Sequence, residues 1–166
     1  MLTDNFVSLY KGVLYDGIEN VPLKSQDGSN GTIRSDDCKR KLALANSISL
    51  YIPGEENTCT LVVGTGITKD KSTDYTMEYV IQETSILQVV SQTSSIYYTQ
   101  LADSLGTVSR TVKNISDTPI TITEIGLYVR GNFDYNLWLL YREVLDTFVT
   151  LQPGKKYTFT IDLCVA

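Results

Sequence analysis

At 166 residues the chain is long enough for one well-buried core and short for two, so a single domain over residues 1–166 is expected. Its 42% apolar and 20% charged content is that of an ordinary soluble globular protein. The net charge of −5 is spread without a basic face, which argues against direct nucleic-acid binding, and long apolar runs are absent, which argues against a membrane helix. Histidine is missing altogether, which excludes Ser-His-Asp and Cys-His catalysis, HExxH zinc sites and histidine proton shuttles. The three cysteines, Cys38, Cys59 and Cys164, lack CxxC spacing and read as free thiols, one short of a four-thiolate zinc site. No catalytic, metal-binding or cofactor-binding residues are assigned, no cofactor is expected, and the chain is not read as an enzyme.

The first segment is an amphipathic helix within an N-terminal arm, residues 1–17. Phe6, Leu9, Tyr10, Val13 and Leu14 fall at helical spacing, Thr3 or Asp4 can cap it, and Gly17 suits its end. Such a helix is either a lid on its own core or an arm that packs on a neighbouring subunit. The opening residues have neither the basic region nor the small-residue cleavage site of a signal peptide, so use without secretion is expected. Turn chemistry follows in QDGSNGTIRSDD, where Asp27-Gly28 and Asn30-Gly31 supply residues tolerant of positive φ. From Leu42 to Ile52 apolar residues recur at even positions, a strand period, although a helix starting at Asp36-Asp37 also fits its first half.

CTLVV reads as a buried strand that breaks at Gly64-Thr65-Gly66. A dinucleotide fingerprint would need a third glycine where Lys69 stands, and Walker spacing is missing, so a strand-ending turn is the better reading. ILQVVS and IYYTQL resemble a strand pair. GTVSRTVKN and ITITEIGLYV read as strands of one hairpin, joined by a turn around Ser116–Pro119. Within it the apolar rhythm slips: Ile120 and Ile122 are even-numbered, while Ile125, Leu127 and Val129 are odd. A bulge or a passage between sheets is therefore expected. The hairpin register would set Arg110 opposite Glu124 as a cross-strand ion pair that fixes register.

LWLLYREVL is apolar on both faces, like a doubly covered strand. The preceding GNFDYNLW offers Phe133, Tyr135 and Trp138 as a candidate interface or ligand loop. After a Pro153-Gly154 turn, Tyr157, Phe159, Ile161 and Leu163 alternate with Thr158, Thr160 and Asp162. The expected fold is all-β: an antiparallel β-sandwich, jelly-roll or Ig-like, with a short N-terminal helix.

Three blocks carry a resemblance. VVGTGITKDKSTDYTME is similar to V-G-T-G-T followed by D-Y-x-L-E. VSRTVKNISDTPITITEIGLYV resembles T-V-x-N-x-S-x-x-P-I-x-I-x-E-I-G-L-Y, and LLYREVLDTFVTLQPGKKYTFTI resembles L-L-x-R-x-V-L-D-x-P-V-T-L-x-P-G-x-x-x-T-x-T-x-x-I. In this order they resemble a family of tailed-bacteriophage virion structural proteins, with Phe148 where proline is usual and Met77 where leucine is. The resemblance implies a virion component of the tail, neck or capsid exterior, made in the bacterial host cytoplasm. It would act through assembly with other virion proteins and with copies of itself, and the family carries no catalytic residues to transfer. The alternative is a phage-fibre module recognising a host surface or glycan through its loops. A carboxylate-driven glycosidase is a third reading that no placement of Asp or Glu favours.

Overall fold

In the computed structural model, the residues described are 1–14, 20–34, 59–81, 86–96, 104–130 and 137–164. One helix, α1 (Asp4–Leu14), precedes eight strands. These are β1 (Val21–Lys24), β2 (Asn30–Ile33), β3 (Cys59–Gly64), β4 (Leu87–Ile96), β5 (Ser104–Asn114), β6 (Ile120–Arg130), β7 (Leu137–Leu151) and β8 (Lys156–Cys164). All pairings are antiparallel. β3-β6-β7 form one sheet, β4-β5-β8 a second, and β1-β2 a small hairpin.

The two three-stranded sheets enclose a shared core. Leu61, Val63, Ile122, Ile125, Leu127, Val129 and Leu140 enter it from one sheet, and Leu87, Val108, Val112, Phe159, Ile161 and Leu163 from the other. The strict alternation of β8 is realised here: Phe159, Ile161 and Leu163 are buried while Thr158, Thr160 and Asp162 face water. Tyr157, at the rim, stays 45% exposed. The Pro153-Gly154 turn has the expected positive φ at Gly154, 74°, and closes with Lys155 N–H donating to Gln152 O at 3.0 Å.

Helix α1 lies on its own chain, with Phe6 and Leu9 in the core beside Val21, Leu23 and Ile33 of the small hairpin. Burying those two helix side chains contributes about 1.5–3 kcal/mol each. Thr3, rather than Asp4, is the cap. Its Oγ1 accepts from Phe6 N–H at 3.4 Å and donates to Leu139 O at 2.6 Å. Asn5 fastens the helix to two strands, accepting from Lys24 N–H at 2.7 Å and donating to Lys24 O and Leu139 O at 2.8 and 3.2 Å. Asp27-Gly28 makes the predicted turn, with Gly28 at φ 84° and Ser29 N–H donating to Asp27 Oδ1 at 2.8 Å. Asn30-Gly31 instead opens β2, where Gly31 pairs with Leu23. Gly17 and Leu42–Ile52 lie outside the described residues.

Of two expected pairings, the first falls largely outside the described residues and the second is corrected. ILQVVS belongs to the ten-residue strand β4, whose partner is β5; most of IYYTQL lies outside the described residues. β5 and β6 do not form a hairpin but belong to different sheets. The turn between them is an arch organised by Asn114, which is fully buried. Its Nδ2 donates to Thr118 O and Leu151 O at 2.8 and 2.9 Å, and its Oδ1 accepts from the Ser116 N–H and Oγ at 2.9 and 2.7 Å. Its backbone N–H donates to Lys155 O and its carbonyl accepts from Gly154 N–H, so one side chain and its peptide hold both turns at this end.

The phase slip in β6 is real and stays within one sheet. Thr123 and Glu124 both turn away from the core, so Ile125 resumes the inward face that Ile122 left. The pairing with β7 is irregular at the same point. Ile122 faces Val149 and Glu124 faces Val144, so β7 carries Leu145–Phe148 where β6 carries Thr123 alone.

Candidate functional site

β6 and the first half of β7 are buried on both faces because the segment 65–81, here called the strap, covers the outer face of their sheet. Glycines make this close approach feasible. A Cβ on Gly126 would stand 2.5 Å from Met77 Sδ, so the bare backbone leaves the room Met77 occupies among Tyr128 and Leu139. Tyr128 OH accepts from Met77 N–H at 2.7 Å, and burial pushes its pKa above the ordinary tyrosine value.

Beneath the strap sits the most concentrated charge of the described residues. Glu124 is fully buried at the slip in β6. Its Oε1 accepts from Gly66 N–H at 3.1 Å and Tyr79 N–H at 2.9 Å, and its Oε2 accepts from Arg142 Nε at 3.0 Å. Thr123 adds a bond from its hydroxyl to Gly66 O at 2.7 Å. The Gly64-Thr65-Gly66 turn therefore does bind an anion, but the anion is the chain's own carboxylate. Glycine is needed for this: a Cβ on Gly64 or Gly66 would lie 2.7 or 2.5 Å from Glu124 Oε1.

Arg142, 4% exposed, is the hub. From β7 its Nη1 reaches Asp74 Oδ2 at 2.8 Å, and its Nη2 reaches Thr68 O at 3.0 Å and stands 3.9 Å from Glu78 Oε2. Burial works against the guanidinium charge, but the hydrogen bonds and charges of Asp74 and Glu124 outweigh it, and the pKa lies above the usual arginine value. Asp74 also accepts from Lys71 N–H at 2.9 Å, shaping the turn in the strap. Glu78 accepts from Thr68 N–H at 2.8 Å and Ile67 N–H at 2.9 Å, which together with Arg142 lowers its pKa below the ordinary carboxylate value. Three carboxylates thus meet one arginine, each also holding backbone amides. The arrangement fastens the strap to the sheet.

The expected ion pair of Arg110 with Glu124 is not formed. β5 lies in the other sheet, where Arg110 faces Gln92 on one side and Phe159 on the other, and the partner of Glu124 is Arg142. Arg110, 1% exposed, points into the sandwich with Nη1 donating to Leu61 O, while Gln92 Oε1 accepts from Leu61 N–H at 3.1 Å. Two side chains of one sheet so take up the backbone donor and acceptor of Leu61 on β3, an outer strand of the other. Of the proposed loop, Phe133 and Tyr135 lie outside the described residues. Trp138 is 3% exposed in the core, paired with Val129, and does not line a surface loop.

Asp74, Glu78 and Arg142 were not singled out from the sequence, although a signal existed. Each stands at a position that the resembling patterns specify, as do Gly64, Gly66, Glu124 and Gly126. What the sequence lacked was their proximity. Compared with protein-family models, curated proteins and solved structures, the chain matches none. Among the described residues no helix is long and apolar enough to cross a membrane.

Proposed function

We propose that the chain is a structural subunit of a tailed-bacteriophage particle, in its tail, neck or capsid exterior, acting by protein–protein assembly with other virion proteins and with copies of itself. The observation that carries this reading is a convergence. Residues from all three resembling blocks, far apart in sequence, meet in the one clamp built from Gly64, Gly66, Asp74, Glu78, Glu124 and Arg142. Their charged groups are engaged in binding the strap, the chemistry of a rigid building block. The burial of Trp138 removes one aromatic from the proposed glycan loop and does not favour the recognition alternative.

Solution mass by light scattering over a concentration series tests the reading. A discrete oligomer, or growth in mass as concentration rises, is expected. A monomer at every concentration that also fails to bind purified phage particles would overturn it.

A further inference from the structure

We infer that the N-terminal unit, α1 with the β1-β2 hairpin, is exchanged between copies of the chain when they are packed together. Each unit then docks on β7 and the strap of a neighbouring copy as it docks on its own chain here. The inference rests on the assembly reading above and names the segment and the docking lane that would serve it.

The unit is held together by its own contacts. Asn5 bonds both the N–H and the carbonyl of Lys24, at 2.7 and 2.8 Å, and Phe6 and Leu9 lie beside Val21, Leu23 and Ile33. Among the described residues its hairpin pairs with neither large sheet. It meets the sandwich along one lane, from Leu137 to Arg142 on β7. Gln26 N–H donates to Leu137 O at 3.0 Å, and Thr3 Oγ1 and Asn5 Nδ2 donate to Leu139 O at 2.6 and 3.2 Å. Thr3 N–H donates to Leu140 O and Arg142 N–H to Met1 O, both at 3.0 Å, on either side of an antiparallel bridge between Leu2 and Tyr141. The strap forms a second wall: Asp4 N–H donates to Ser72 O at 2.7 Å, and the Lys24 ammonium stands 4.1 Å from the centre of the Tyr75 ring. Adding a segment to a strand edge in this way is a mode by which separate chains recognise one another.

Connectivity permits the exchange. In this chain the unit joins the sandwich once, through the 24 residues 35–58, so it can pass to another copy without threading a loop. The strap runs between β3 and β4 and has no such freedom. A stretch of that length reaches at most about 80 Å, whereas a domain of this size is about 40 Å across. The docking contacts are the same within one chain or between two, so concentration sets the balance. A tethered segment meets its own site at an effective concentration on the order of 1 mM. Copies held side by side in a particle match that value, and dilute protein does not.

The test uses two variants of the full chain, Leu2→Cys and Tyr141→Cys. Partners in an antiparallel bridge stand about 4.5–5.5 Å apart at Cα, within reach of a disulfide. The variants are unfolded, mixed in equal amounts, refolded over a concentration series and oxidised, with circular dichroism melts to establish folding. At high concentration the mixture should yield at least about tenfold more covalent dimer than either variant alone, since each control carries the same native cysteines. A chain bearing both substitutions should close on itself when dilute and link to other chains when concentrated. In parallel, isotope-filtered NMR on labelled and unlabelled wild-type chains refolded together should show contacts between Thr3 of one chain and Leu139 or Leu140 of another. That readout needs no variant and decides the matter if a cysteine variant fails to fold. A dimer yield no greater than in the controls, or contacts confined to one chain while the mass grows with concentration, would overturn the exchange and leave the assembly reading standing. A wild type that is monomeric throughout also overturns the exchange. Binding of that monomer to phage particles then decides the assembly reading separately.

Discussion

Replacing Glu124 by glutamine removes one charge from the centre of the clamp while preserving its volume, so no cavity complicates the result. The retained Oε1 can still accept from Gly66 and Tyr79 N–H. The oxygen that faced Arg142 Nε at 3.0 Å becomes an NH2 group, setting donor against donor in a site where Glu124 is fully buried. Breaking one side of a buried ion pair costs about 3–5 kcal/mol. The lower end applies here, because Asp74 continues to compensate Arg142 at 2.8 Å. A loss of about 3 kcal/mol is a large share of a typical 5–15 kcal/mol stability, and lowers Tm by about 6–12 °C in a chain of this size. Urea unfolding followed by circular dichroism measures it, and a double-mutant cycle with Arg142→Met isolates the coupling between the two residues. A loss below about 1 kcal/mol, or no measurable coupling, would refute the view that this pair fastens the strap.

Glycine substitutions should divide by geometry. Gly66→Ala pushes a Cβ to 2.5 Å from Glu124 Oε1 and should cost about 1–3 kcal/mol, whereas Gly31→Ala, with open space around it, should stay within about 0.5 kcal/mol in the same unfolding assay. Gln92→Leu leaves the buried Leu61 N–H without its acceptor at 3.1 Å and should cost about 1–3 kcal/mol by thermal melt. Glu78 has its pKa lowered from 4.5 on folding, so its contribution is complete above 4.5 and is lost as pH falls through the depressed value. Amide exchange, corrected for its intrinsic pH dependence, should show Ile67 and Thr68 losing protection over that acidic window first; unchanged protection there would contradict the assignment.

Elements whose partners are supplied by the solvent–core boundary were legible in the sequence. The alternation of β8, the double coverage of Trp138–Leu140 and the helical spacing of Phe6 and Leu9 each follow from which side of an element is wet. The connection through Ser116–Pro119 was legible as a turn but not as an arch. Turn residues report where a chain reverses, while the bonds from Asn114 to Leu151 and Lys155 that set its direction come from distant parts of the chain. The same reason hid the clamp. Arg110 and Glu124 looked like partners because they flank one turn, yet each answers a buried group elsewhere: Arg110 the carbonyl of Leu61, and Glu124 the guanidinium of Arg142. A charged residue inside an apolar strand announces that a partner exists; it does not announce which.

The sequence distances spanned by the clamp set an order of events in folding. Glu124 draws on Gly66 at a separation of 58 residues, and Arg142 reaches back 68 to Asp74 and 74 to Thr68. The clamp is complete only once β6 and β7 are side by side, because Glu124 comes from one of these strands and Arg142 from the other. Closing so long a loop is entropically costly until the hairpin exists to reward it. On this reasoning the strap is expected to settle late and leave early. Weakening it should accelerate unfolding while refolding keeps its pace, and stopped-flow measurements on Gly66→Ala would show the asymmetry directly.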